Sequence, residues 1–194
     1  MNCYKTDLFI NSIYSFKLNI DLNEINNFCI DYEKNNLGRV LSNFNGFQSN
    51  NLDFNIPIVN KLSFIILQKV NFVFKKYYKT EHNLNISSIW FNINRHKDSN
   101  NRHMHPDSML SGVFYSKVPN NSGDIRFYNS ENFEIHFANV NKIIEPNEHN
   151  SCTYLLKSEA SFLHIFPGFL NHCVNPNLSN EERISFSFNT SLAN

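Results

Sequence analysis

Glycine and proline are scarce, five and six residues in a chain of 194. That excludes collagen-like repeats and long flexible segments, which need far more of both. Neither sign of charge is in surplus, with 17 basic against 17 acidic residues. No block of like charge extends beyond the short Lys75-Lys76 pair, so the long-range field favours no polyanion and nucleic acid is not an expected partner. Long apolar runs are also missing. The longest, around Phe64 to Leu67, falls far short of the roughly 20 residues needed to span a bilayer. The N-terminal MNCYKTDLFINSIYSFKL alternates polar and apolar residues, without the apolar stretch and small-residue cleavage site of an export signal. The expectation is a soluble, cytoplasmic protein with no membrane partner. The four cysteines, at positions 3, 29, 152 and 173, show no CxxC pair and no zinc-ligand spacing. Reduced thiols in an intracellular setting are therefore expected. Cys173, beside His172, reads as a small apolar space-filler.

Aromatic residues are plentiful, with 19 phenylalanines, enough to fill the interior of a barrel or sandwich. The length suits one domain over residues 1–194 with a core large enough to fold alone. Residues 8–20 alternate as a strand does, and Asp21 stands where an N-cap would open a helix through about Tyr32. The segment GRVLSNFNGFQS (38–49) is rich in turn formers. Pro57 can open a second helix, with Val59, Leu62, Ile65, Ile66 and Val73 as its apolar stripe. From residue 86 the pattern changes to short alternating runs at 87–94, 110–118, 124–130, 133–138, 152–156, 161–167 and 183–190. These are separated by Asn, Ser, Gly and Pro turns. The expected fold is mainly β with N-terminal helices (α+β), a double-stranded β-helix or cupin-like jelly roll. Residues 1–85 form a mostly helical flank with an N-terminal strand, and residues 86–194 form the jelly-roll core.

Two constellations carry chemistry. In NRHMHPDS (101–108), His103, His105 and Asp107 follow at two-residue steps, and extended backbone would put all three on one face. Pro106 supports extension, because the residue before a proline is pushed out of the helical region. One further ligand would complete a facial metal site. In FLHIFPGFLNHCVNPNLSNEERISFSFN (162–189), a strand ends in Phe-Pro-Gly, a turn delivers His172, and the next strand begins at Arg183. Arg183 and Ser185 then point to the same side of that strand. A guanidinium in a Phe-lined interior needs an anion. A carboxylate meets it through two charge-assisted hydrogen bonds, with the serine hydroxyl as a third donor. A dicarboxylate co-substrate fits. The alternative for Arg183 is a structural ion pair with Glu181 or Glu182.

His-x-Asp or His-x-His, a lone His some 65 residues later and then Arg-x-Ser together resemble the 2-oxoglutarate/Fe(II) dioxygenase superfamily. The runs GRVLSNFNGFQS, HMHPDSMLSGVFYSKVP, LHIFPGFLNHCV and RISFSFN narrow the resemblance to a group of 2-oxoglutarate/Fe(II) oxygenases of bacteria and viruses, over about residues 38–189. The resemblance implies an enzyme with Fe(II), 2-oxoglutarate and O2 as cofactor and co-substrates. Its iron would be held by two histidines and a carboxylate. It would couple decarboxylation of 2-oxoglutarate to succinate with oxidation, most simply hydroxylation, of a further substrate. Two ligand sets are open: His105, Asp107 and His172, or His103, His105 and His172. A carboxylate that balances the ferrous charge favours the first. By similarity to the prolyl-hydroxylase branch, Tyr115 would join Arg183 and Ser185 on the co-substrate carboxylate. By similarity to the nucleic-acid-demethylating branch, Asn92 would touch the co-substrate too.

Two alternatives accompany this reading. HMHP also resembles the ligand run of cupins, which would make the chain a metal- or ligand-binding module without redox turnover. A cupin needs a glutamate soon afterwards, however, and none occurs between His105 and Glu131. A halogenase variant normally lacks the carboxylate ligand. The Trp90-Phe91 pair reads as core, and SNFNGFQS equally as a substrate-facing lid or as simple turn chemistry. Neutral charge leaves a small-molecule or peptidyl substrate. Edge strands and the apolar helix stripe could each support a homodimer.

Overall fold

The computed structural model of the chain describes residues 4, 5, 10–129, 145, 147 and 149–193. In order, the elements are β1 (Tyr14–Lys17), α1 (Leu22–Asn35), β2 (Asn43–Phe44), β3 (Phe47–Gln48), α2 (Pro57–Tyr78), β4 (Leu84–Asn94) and β5 (Ser99–His103). They continue with β6 (Leu110–Lys117), β7 (Ile125–Tyr128), β8 (Thr153–Leu156), β9 (Phe162–Pro167), β10 (His172–Val174) and β11 (Arg183–Leu192). The strands form two antiparallel sheets, ordered β1-β9-β6-β11-β4-β3 and β2-β5-β10-β7-β8. Sequence-adjacent strands repeatedly lie in opposite sheets, the connectivity of a jelly roll. The strand expected at 133–138 lies outside the described residues. No helix among the described residues is long and apolar enough to cross a membrane.

Local signals place the helices. Asp21 caps α1, its carboxylate accepting from the backbone N–H groups of Asn23 (2.9 Å) and Glu24 (3.2 Å), which satisfies donors that a helix start leaves open. Pro57 opens α2 without a side-chain cap, and Lys79 ends it in the left-handed conformation at φ 53°. The stripe Val59, Leu62, Ile66, Val70 and Val73 is buried.

Alternation along the two long central strands separates two interiors. On β4 and β11, Ile89, Phe91, Ile93, Ile184, Phe186 and Phe188 join one apolar cluster with the buried faces of both helices. The intervening residues, Trp90, Asn92, Asn94, Arg183, Ser185 and Ser187, face the opposite way, toward the second sheet. A smaller apolar cluster of Val113, Tyr115, Ile125, Phe127, Phe166 and Leu170 lies on that side. The helix side is therefore a largely apolar core, while the space between the sheets is lined with amides, hydroxyls and a guanidinium. Burying such groups is costly unless they are partnered.

Two features close the barrel. The Asn45-Gly46 bend, with φ of 54° and 62°, links β2 and β3 and favours residues tolerating positive φ. Its two arms join different sheets, with Phe47 opposite Ile93 on β4 and Asn43 opposite Asn100 on β5. At the Arg183 end, Asn177 is wholly buried. Its amide donates to the carbonyls of Asn94 (2.8 Å) and Glu181 (2.7 Å) and accepts from Ser179 N–H (2.8 Å). The loop before β11 is thus tied to the end of β4. Asn177→Ala strands those backbone groups, so we expect a loss of ~2–3 kcal/mol in unfolding free energy by urea titration. A loss below about 0.5 kcal/mol would show that the loop is held by other means.

Candidate metal and co-substrate site

His103 ends β5 directly opposite His172 on β10, so two imidazoles meet across one ladder position. His105 follows two residues later and is held from the other side, its backbone N–H donating to Gly168 O (2.8 Å). Gly168 is obligatory at this contact, because a Cβ there would sit 2.1 Å from Ser108 O. The ring centroids lie 5.1 Å (His103–His105), 4.4 Å (His103–His172) and 5.2 Å (His105–His172) apart. One ligand nitrogen from each residue falls within 4.8 Å of the others.

Asp107 is not in this group. The extended run predicted over 103–107 ends at His105, where a turn closed by Ser108 N–H on His105 O (3.2 Å) carries Asp107 outward to an exposed position. Buried hydroxyls pin the far side of that turn, with Ser108 Oγ donating to Leu110 O (2.7 Å) and accepting from Thr190 N–H (2.9 Å). The carboxylate of the preferred His-x-Asp set therefore stays apart, while the three histidines of the other set converge.

The imidazoles are prepared as neutral donors. His103 Nδ1 lies 2.7 Å from Asn101 O and His172 Nδ1 2.9 Å from Leu170 O. A carbonyl only accepts, so both Nδ1 atoms carry the proton and both Nε2 lone pairs are free. Burial lowers all three pKa values, with His105 at about 4 and His172 at about 3, and the neighbouring His103 charge pushes both further down. Trp90 stacks on His105 at 5.9 Å, and Phe166 packs edge-on to His172 at 4.9 Å. These rings cover one side of the cluster, in which His172 is buried and His103 and His105 are half-buried. The histidines, Trp90, Asn92, Ser185 and Ser187 line one narrow cavity of ≈ 30 Å³. That is room for about one water, so entry of anything larger requires side chains to move apart.

Deeper in the same interior, Arg183 is buried (1% exposed). Its Nη1 donates to the carbonyls of Ser122, Gly123 (3.1 Å) and Asn175 (3.3 Å), whereas Nε and Nη2 are buried with no acceptor. The ion-pair alternative fails because Glu181 and Glu182 both pair with Lys117, at 3.4 and 2.9 Å. Burial lowers the Arg183 pKa, yet a guanidinium stays charged. Register places the remaining sequence-derived residues beside it. Asn92 and Tyr115 both stand opposite Ser185, on either side of β11, and Asn94 stands opposite Arg183. Burial raises the Tyr115 pKa, partly countered by the Arg183 charge and the Ser158 hydroxyl. A positive, donor-rich pocket with orphaned N–H groups thus lies below a cluster of neutral imidazoles.

Two residues depart from their expected roles. Trp90 is not paired with Phe91 in the core, because adjacent strand residues face opposite sides and the indole faces the histidines. Cys173 points away from His172, its sulfur 3.4 Å from the Tyr128 hydroxyl, and is not an apolar filler. Arg39, from the turn-rich segment, was not singled out by its sequence context, yet its guanidinium lies 5.4 Å from the Trp90 ring centre.

A sequence profile of the family described as "Putative 2OG-Fe(II) oxygenase" matches residues 88–189, more than half of the chain, including His103, His105, His172 and Arg183. The chain belongs to that family. Its enzymes use Fe(II), 2-oxoglutarate and O2, and the donor set here fits both groups, neutral imidazoles for the metal and a buried unpaired guanidinium for the carboxylate. Membership decides for an oxygenase and against a cupin-like module without turnover. No functionally curated protein matches by sequence. Among solved structures, the chain resembles a Pseudomonas putida prolyl-4-hydroxylase with a TM-score of 0.64 at 14% identity, over 92% of this chain and 91% of that one. A viral collagen prolyl hydroxylase from Paramecium bursaria Chlorella virus-1, in its 2-oxoglutarate complex, gives 0.61 at 12%, over 94% and 96%. The α-ketoglutarate-dependent carbocyclase SnoK of nogalamycin biosynthesis gives 0.64 at 10%, over 93% and 79%. At these identities the likeness is one of fold.

The histidine pKa values make stability depend on pH. His105, His164 and His172 titrate at about 4, 4 and 3 in the folded protein, against about 6.5 when unfolded. The unfolded chain therefore binds more protons between those limits, and stability present above pH ~6.5 is lost as pH falls toward 4. We expect the melting temperature of chelator-treated protein to drop progressively from pH 6.5 to 4, with a shallower slope in His172→Gln. Equal slopes in the two proteins would exclude His172 as a contributor.

Proposed function

We propose that this oxygenase is a hydroxylase whose iron is held by His103, His105 and His172, and whose 2-oxoglutarate is anchored by Arg183. One observation carries the reading: three neutral imidazoles converge at one level of the interior while an unpaired guanidinium waits deeper on the same face. When bound, Fe(II) couples decarboxylation of 2-oxoglutarate, giving succinate and CO2, to O2-dependent insertion of oxygen into a C–H bond of a second substrate.

The chain's own part is placement. The Asn101 and Leu170 carbonyls hold the ligand tautomers, and Trp90 and Phe166 pack against His105 and His172. Arg183 Nε and Nη2 offer paired donors to the distal carboxylate, with Ser185 and Tyr115 as flanking hydroxyls and Asn92 toward the metal-proximal end. Three histidines leave half of the positions of a six-coordinate ion for the two co-substrates and none for a halide, which supports hydroxylation over halogenation.

Titration with Co(II) or anaerobic Fe(II) separates the ligand sets. His103→Ala should lose metal affinity by about 100-fold or more, while Asp107→Asn keeps it within about twofold. The opposite pattern would overturn the three-histidine centre. Arg183→Met should retain metal binding yet need at least about tenfold more 2-oxoglutarate to develop the visible charge-transfer band of the Fe(II) complex. An unchanged requirement would remove Arg183 from the co-substrate pocket.

A further inference from the structure

Trp90 is the sole tryptophan of the chain and contacts one neutral and one charged side chain. One contact is His105, stacked at 5.9 Å; the other is Arg39, with Cζ 5.4 Å from the indole centre. Arg39 comes from the segment between α1 and β2, and backbone bonds fix that segment on both sides. Arg39 N–H donates to Gln48 O (2.8 Å) and Asn101 N–H to Ser42 O (2.7 Å); Leu41 N–H donates to Asn43 Oδ1 (3.0 Å). Ser42 itself lines the histidine cavity. The guanidinium is thus delivered by the fold and does not reach the indole by chance from solvent.

Its charge is uncommitted. Arg39 Nε is buried without an acceptor, and among the described residues no carboxylate pairs with it. The nearby acids are engaged elsewhere. Glu33 accepts both Nη atoms of Arg95 (2.8 and 2.7 Å), and Asp98 Oδ2 accepts Arg95 N–H (2.7 Å). Such a stacked, partly desolvated guanidinium is a strong site for a planar anion. It borders a cleft of ≈ 530 Å³ whose walls include Gly38, Phe47, Glu33 and Asp98. The two acids oppose a polyanion such as a nucleotide or nucleic-acid backbone, whereas a single carboxylate needs only Arg39. Val40, Leu41 and Phe44 are exposed alongside, at 83%, 68% and 57%, ready to meet an apolar body.

We propose that Arg39 binds the carboxylate of the substrate to be oxidised, so that this enzyme acts on a carboxylate-bearing molecule with an apolar body. This rests on the iron reading above. The Trp90 indole contacts both Arg39 and His105, so a substrate whose carboxylate sits at Arg39 and whose apolar body passes the edge of that ring would bring a C–H bond to the metal centre. The carboxylate is either the free terminus of an amino acid or peptide, or an acidic side chain within one.

Trp90 fluorescence of the full chain reads this binding without turnover, in metal-free protein and in protein loaded with Zn(II) and 2-oxoglutarate. The probes are N-acetyl-L-leucine, its neutral amide N-acetyl-L-leucinamide, and an acetylated, amidated Leu-Asp dipeptide. We expect at least one acid to bind about tenfold more tightly than the amide. In Arg39→Gln the preference should shrink to within about twofold, and Arg39→Lys should retain part of it. Urea midpoints of both variants check that folding is intact. Preference for N-acetyl-leucine alone assigns a terminal carboxylate, and preference for the dipeptide alone a side chain. Equal binding of acids and amide by the wild type, or a preference that survives in Arg39→Gln, overturns the proposal. Either failure would leave the iron reading standing, since His103→Ala and metal titration test that separately.

Discussion

The pairing of β11 with β4 is the constraint on which the site depends. It runs without interruption from Arg183 opposite Asn94 to Asn189 opposite Ser88. A strand sends alternate side chains to opposite faces, so this single register decides that six large apolar side chains meet the helices while Trp90, Asn92, Asn94, Arg183, Ser185 and Ser187 face the second sheet. A slip by one residue would exchange the two sets and destroy both the core and the pocket. The helices stabilise this arrangement by burying one face, and the site occupies the other.

The proposed function rests on the polarity of that second interior. Imidazoles at one level are neutral because burial and mutual repulsion disfavour their charged forms. The guanidinium below them remains charged because no environment here deprotonates it. A chelating keto acid with a distant carboxylate complements this pattern: soft neutral donors and a metal at one end, a fixed cation at the other. The orphaned donors of Arg183 have a stability cost in the protein alone, a common feature of sites that await a ligand.

The histidine level is set by backbone geometry as much as by the ligands. His103 and His172 are fixed by a ladder position. His105 depends on Gly168, whose lack of a side chain lets the turn after β9 touch the His105–Ser108 turn. The turn at His105–Ser108 then redirects the chain, and Ser108, Thr190 and Leu110 lock it to the last strand. Arg39 is placed in the same way, through backbone bonds to β3 and β5 that bring a cation from the N-terminal flank over the indole of the central strand.

Much of this was legible in the sequence. Alternation and turn residues mark most of the strands, Asp21 and Pro57 mark both helix starts, and the two-residue steps at His103/His105 and Arg183/Ser185 predict shared faces. These are local properties, determined by the strand and helix periods themselves. The short strands β2, β3, β5 and β10 were not legible, because two to five residues carry too little periodicity and owe their pairing to the neighbours on either side. Likewise the sequence alone could not place Asp107. Whether extended backbone continues past Pro106 depends on a turn closed by Ser108 and held by Thr190, 82 residues away. Residue types and spacing therefore determined the chemistry available to this chain. Which histidines converge, what remains unpaired around Arg183, and the approach of Arg39 to Trp90 were decided only when the two sheets closed, because each rests on contacts between segments far apart in the chain.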